Sequence, residues 1–252
     1  MTVTAVVGRH CRVVCKSPPS ICGPLAVRRG RTTPVPWRRR GRSIRFLGQR
    51  ELSPKNGCIN GQVGAVGAYF GQNVRGIVDR LLGEQLPDGG WNCEAPERST
   101  RSSFNTTICV LEALLEYEQA GNGIPAVTEA RLRGQEYLLE RQLLRRRSTG
   151  QLIERDRKAN GSWTRFAFPT WWHYDVLRGL EYLRSAGVTP EERMAEAIEL
   201  VASKRDADGR WLLETRYAGV MPIETDEGEG RPSRWNTLHA LRVLRWYESA
   251  DS

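Results

Sequence analysis

The sequence predicts an all-α fold: about three and a half helical hairpins behind a basic tail. Three observations carry that reading. From residue 58 onward, apolar residues recur at the spacing of amphipathic helices. A loop phrase is written twice, QLPDGGWN at 85–92 and RDADGRWL at 205–212. The helices also repeat with a period of about 65 residues, the mark of an array of supersecondary units.

A chain of 252 residues has room for one large domain or two small ones. Its formal charge of +9 suggests nucleic-acid binding until the charges are located. Residues 1–50 hold 12 of the 38 Lys and Arg and no Asp or Glu, so the remainder carries 26 basic against 29 acidic groups. The folded part is therefore close to neutral and is not expected to bind nucleic acid. No apolar run is long enough for a transmembrane segment. A cytoplasmic location is expected, with peripheral membrane contact as the alternative.

Residues 1–56 form the first segment. They lack periodicity and contain VRRGR, PWRRRGR and Pro18, Pro19, Pro24, Pro34 and Pro36, which predicts a disordered tail. Three readings of it stand: an arm for acidic partners, an organelle transit peptide, or sequence from a wrong start or frame. Residues 57–252 form the helical domain. Among the six cysteines no CxxC pair or His-x-x-x-His occurs, so a zinc finger is not indicated. Cys58, Cys93 and Cys109 read as ordinary reduced thiols.

The elements follow in order. INGQVGAVGAYFG (59–71) stands where a helix is due, but Gly61, Gly64, Gly67 and Gly71 make it a poor one. In 74–85, Val74, Ile77, Val78, Leu81 and Leu82 share a face. A helix from Phe104 has two apolar stripes and is expected to be buried from two sides, with Ser103 as N-cap and Gly121 as its stop. Further helices are expected at 128–144, at 171–187 ended by Gly187, at 189–205 opened by a Thr189–Glu192 capping box with Pro190, and at 235–248. Superposing the second helix of each hairpin aligns Phe104-Asn105-Thr106 with Trp172-His173-Tyr174 and with Trp235-Asn236-Thr237, at spacings of 68 and 63 residues.

The repeated phrase is explained by the corner each hairpin must turn. Gly89 and Gly209 allow a tight reversal. An aspartate can hold turn amides. Trp91 and Trp211 can pack between helices and donate an indole N–H to an open carbonyl. The phrase is a staple, not a catalytic motif.

On these residues the chain resembles a known superfamily. Gln85-x-x-x-Gly89-x-Trp91, set between hairpins with aromatic-led inner helices, is similar to the QW motif of squalene and other triterpene cyclases. Their α/α-toroid also occurs in protein prenyltransferase β subunits, and the likeness is closest to small bacterial squalene-cyclase-like proteins with prenyltransferase-type repeats. It covers roughly 58–252. The resemblance implies a partial α/α-toroid: outer helices on the rim, inner helices around a cavity, and an apolar isoprenoid-like ligand inside. A full ring has about six hairpins, so a second copy or a partner is expected to complete it. No Asp-x-Asp-Asp string, the acid of class II cyclases, occurs here. The Asp, Cys and His zinc set of prenyltransferases is not placed either, so no metal or other cofactor is expected. Turnover as a cyclase-like or prenyltransferase-like enzyme stays open.

The candidate site residues come from the openings of the presumed inner helices. Phe104, Asn105, Trp172, Trp235 and Asn236 are the candidate ligand contacts: aromatic walls with a few placed polar groups suit an apolar ligand, and π faces stabilise carbocations. His173, Asp175 and His239 are the candidate acid–base residues. Residues two apart on a helix do not face each other, so a direct His173–Asp175 pair is not expected. WTRFAFPTWWHYD (163–175) reads chiefly as hairpin core. Arg145, Arg146 and Arg147 read as a solvated loop or a diphosphate site. Two further functional readings compete with the ligand-binding protein: a helical-repeat interaction module, and a shortened inactive relative.

Overall fold

The computed structural model describes residues 57–95, 97–153, 163–218, 225 and 228–249, together with 4–7 and 11–14. In the tail, β1 (Thr4–Val7) pairs antiparallel with β2 (Cys11–Val14). The rest of 1–56, and with it the reading of that segment, lies outside the described residues.

The domain is all-α. Its helices are α1 (Gly57–Tyr69), α2 (Arg75–Gly83), α3 (Phe104–Tyr117), α4 (Pro125–Leu139), α5 (Val176–Ser185), α6 (Ala195–Ser203) and α7 (Arg234–Glu248). A two-residue ribbon, β3 (Trp211–Leu212) with β4 (Pro232–Ser233), closes the loop before α7. The odd-numbered helices pack in sequence, α1 on α3, α3 on α5, α5 on α7, and the even-numbered ones lie against them. This gives two layers of helices. In chain order α2–α3, α4–α5 and α6–α7 are the three hairpins, and α1 stands before them as the half.

α3 is the centre of the core. Every residue of it except Glu112 is buried, as its two apolar stripes predict. Gly121 stops it, at φ 82°, after one wider turn.

Four expectations are corrected. The Gly-rich stretch is a full helix, α1, because Gly61 and Gly64 face α3. A Cβ on Gly61 would lie 2.6 Å from the Cys109 carbonyl oxygen, so the backbones touch where a side chain would hold them apart. Helix propensity is a local cost, and the close packing of α1 on α3 overrides it. α4 ends at Leu139 rather than 144, since Gln142 and Leu143 turn left-handed at φ 47° and 64°. α5 begins at Val176, not Trp171. Trp171 has φ 50°, and Asp175 caps the helix by accepting from the Arg178 amide at 2.8 Å. Finally, the Thr189 capping box does not form. A short 3-10 turn, Glu192–Met194, leads into α6 with no side-chain cap.

Candidate functional site

The repeated corners share their bonds. Trp91 Nε1 donates to the Leu81 carbonyl at 2.6 Å, and Trp211 Nε1 to the Val201 carbonyl at 2.7 Å, each ten residues back in the preceding helix. The Trp91 amide donates to Thr107 Oγ1 and the Trp211 amide to Thr237 Oγ1, both at 3.0 Å. Each tryptophan thereby ties the end of one helix, α2 or α6, to the start of the next, α3 or α7. Both indoles are buried. Gln85 Nε2 extends the first staple, donating to the Gly89 and Ala130 carbonyls at 2.7 and 2.8 Å. In the second copy Arg205 lies 5.8 Å from the Trp211 ring. Gly89 needs its missing side chain twice over: φ is 91°, and a Cβ would meet the Arg133 carbonyl at 2.6 Å. Gly209 has φ 77°. A third Gly-x-Trp, Gly161-Ser162-Trp163, escaped the sequence reading. Trp163's carbonyl accepts from the Val176 amide at the start of α5, much as Trp91's accepts from Ser103 before α3.

These shared bonds shift the repeat register. Thr107 matches Thr237 and Ser103 matches Ser233, so Asn236 corresponds to Thr106 and not to Asn105. Asp175, the cap of α5, takes the position of Ser103 and Ser233; Ser233 caps α7 through its side chain, whereas Ser103, against expectation, holds the N-cap position of α3 without a side-chain bond. Trp172, His173 and Tyr174 therefore lie in the loop before α5, not on an inner helix.

The candidate residues do not converge on one space. Asn105 Oδ1 accepts from the Tyr174 amide at 2.7 Å, and Asn236 Nδ2 donates to the Leu212 carbonyl at 2.9 Å. Asn105 thus ties α3 to the segment before α5, and Asn236 ties α7 to β3. Asp175 is buried, with its oxygens accepting from the Arg178 and Ala167 amides. Burial pushes its carboxyl up to about 6, and those amide bonds oppose the rise. It is a cap, not the partner of His173. His173 is instead stacked between Trp172 and Tyr217, with ring centroids 3.7 and 3.5 Å away. Trp235 stacks on Phe168 at 4.9 Å with His239 edge-on to the same ring, a separate cluster.

Three of the candidates do meet at a cleft of about 1170 Å³ at one end of the helices. Phe104, Asn105 and Trp172 line it. Trp163 joins them, its ring 4.2 Å from Phe104. Trp163 is 9% exposed, and its buried indole N–H has no hydrogen-bond partner among the described residues. Arg101, Arg141 and the whole 145–147 run line the cleft too, beside the carboxylates Asp88 and Glu94. Arg145 is paired with Glu196 and Arg147 with Glu140, while Arg141 lies over the Tyr137 ring and 3.6 Å from Asp88. No acidic side chain among the described residues pairs with Arg101 or Arg146. Sequence reading found the arginine run but had no signal that it faces Phe104, some 40 residues earlier.

Cys58 and Cys93 line the same cleft and are not the ordinary thiols expected, since their sulfurs stand 3.0 Å apart. Among the described residues no group of three or more His, Cys, Asp or Glu is placed to hold a metal ion, and no helix is long and apolar enough to cross a membrane. Comparison with protein-family models, with curated proteins and with solved structures found no match.

Proposed function

We propose that the domain is a partial α/α-toroid of the squalene-cyclase and prenyltransferase kind, and that its cleft binds an isoprenoid-like ligand with an anionic head. The observation that carries this is the pairing, in one cleft, of an aromatic wall with a group of arginines. Phe104, Trp163 and Trp172 offer π faces to a chain of carbons. Arg101 and Arg146 offer guanidinium groups suited to a phosphate or carboxylate. The cleft slightly exceeds the roughly 300–1,000 Å³ of ordinary small-molecule sites, so a long chain fits. The Trp163 indole N–H supplies one donor for a polar ligand atom. Binding is proposed, not a reaction, because the acid string of the cyclases is missing from the sequence and Asp175 is spent as a cap.

Farnesyl diphosphate, farnesol and inorganic diphosphate titrated against tryptophan fluorescence test this. Farnesyl diphosphate should bind most tightly, Trp172→Ala should weaken both farnesyl probes, and Arg146→Glu should weaken the diphosphates alone. A folded protein whose fluorescence no probe changes overturns the proposal.

The partner reading attaches elsewhere. α7 is the last helix of the row, and Leu238 and Leu241 are exposed on it, 36% and 44%. A second copy or another helical protein completing the ring would cover them, and Leu241→Glu should then abolish any association seen by analytical ultracentrifugation.

A further inference from the structure

The Cys58–Cys93 pair joins two parts of the chain that no helix links. Cys58 is in the first turn of α1, and Cys93 is in the loop between α2 and α3, 35 residues later. Both thiols are free, both are half-buried, and both line the cleft, so a small molecule can reach them. We propose that Cys58 and Cys93 form a dithiol site that exchanges with small-molecule disulfides of the glutathione class, closing to a disulfide between α1 and the α2–α3 loop.

The roles of the two sulfurs differ. Cys93 Sγ accepts from the Cys58 backbone amide at 3.3 Å, an N–H at the start of a helix that has no helical acceptor. It also lies 3.2 Å from the Thr106 hydroxyl. An amide can only donate, so the arrangement favours a negative sulfur at Cys93, with the shared proton on Cys58. The hydrogen bond shared with the Cys58 sulfur, then the Thr106 hydroxyl and the Cys58 amide, bring Cys93 down to about 6 against the opposing effect of burial. The same bond, together with burial, pushes Cys58 up. Cys93 is the attacking thiolate and Cys58 the resolving thiol.

The exchange balances. Cys93 thiolate attacks one sulfur of the oxidised disulfide, forming a mixed disulfide and releasing one thiolate, which takes up a proton. The Cys58 thiol gives its proton to solvent and attacks the Cys93 sulfur, expelling the second thiolate, which takes back from solvent the proton that Cys93 lost on ionising. One protein dithiol and one small disulfide become one protein disulfide and two small thiols, with two electrons passing from the protein. Cys109 is not a competitor. It is fully buried, and burial pushes its thiol up to about 12.

The test uses the full chain, reduced, desalted, treated with oxidised glutathione, alkylated and mapped by mass spectrometry. Circular dichroism checks the fold of every variant. Wild type should yield a linked Cys58–Cys93 peptide pair. Cys58→Ser should trap glutathione on Cys93, and Cys93→Ser should give neither the link nor an adduct on Cys58. In Cys58→Ser, whose hydroxyl keeps a donor beside the sulfur, Cys93 should also alkylate at pH 7 about two- to four-fold faster than an ordinary thiol, because its higher thiolate fraction outweighs its lower nucleophilicity. The proposal is overturned if the folded wild type keeps both thiols alkylatable. It is equally overturned if the link joins Cys109 or a tail cysteine, or if Cys58→Ser takes up no glutathione.

Discussion

The packing of α1 on α3 makes a prediction whose sign depends on place. Gly61→Ala puts a methyl group 2.6 Å from the Cys109 oxygen, 2.7 Å from its carbonyl carbon and 3.0 Å from the Val110 nitrogen. All three are backbone atoms of a buried helix, so no side chain can swing aside. The helices must separate until the closest contact reaches at least 3.0 Å. A gap of that kind loosens the whole interface, and overpacking of this type costs about 1–3 kcal/mol. The gain in helix propensity on replacing Gly with Ala offsets up to about 1 kcal/mol. The expected net loss is about 1–2 kcal/mol. Gly83→Ala is the control. Gly83 is also helical, it is exposed, and nothing lies within 4 Å of its added methyl. It should stabilise by about 0.4–1 kcal/mol through the unfolded chain. Guanidinium unfolding at constant m measures both. A Gly61→Ala midpoint at or above wild type would refute the close approach of α1.

The corners, the caps and the buried carboxyls supply the others. Trp91→Ala and Trp211→Ala should each cost about 3–5 kcal/mol in chemical unfolding, and equal stability of either variant would break the staple argument. Trp91→Phe should cost about 1 kcal/mol by removing the indole bond to the Leu81 carbonyl, which keeps the Glu84 amide. Asp175→Ala should lower stability by about 1–2 kcal/mol, the usual cost of a lost N-cap, and Asn should recover most of it; a neutral Ala variant would return Asp175 to candidate catalysis. Glu116 is buried near Glu112, and burial first, then that neighbouring charge, raise its carboxyl from 4.5 to about 7. The folded state therefore holds this proton more tightly than the unfolded chain, so stability from this group falls as pH rises from 4.5 through 7. Glu116→Gln should remove that fall, its advantage over wild type being larger at pH 8 than at pH 5; an equal difference at both would contradict the assignment.

The sequence by itself determined what depends on near neighbours along the chain. The spacing of Val74, Ile77, Val78, Leu81 and Leu82 places α2 within a residue or two, because burial of one helix face is written at a period of 3.6 residues. The double stripe of α3 foretold its burial from two sides, and the twice-written corner foretold two buried tryptophans, since turn chemistry is also local. Tertiary structure decided the rest. α1 looked too glycine-rich to form, and only the Cys109 backbone lying against Gly61 explains why it does. The start of α5 moved because the Asp175 side chain, not the aromatic run before it, supplies the cap. The cleft is a matter of distance along the chain: Arg146 faces Phe104, and Cys93 meets Cys58, only after the hairpins stack. Helical periodicity fixes which residues share a face over four positions. It carries no information about which of two faces, dozens of residues apart, will be brought together, and the candidate site is built from such pairs.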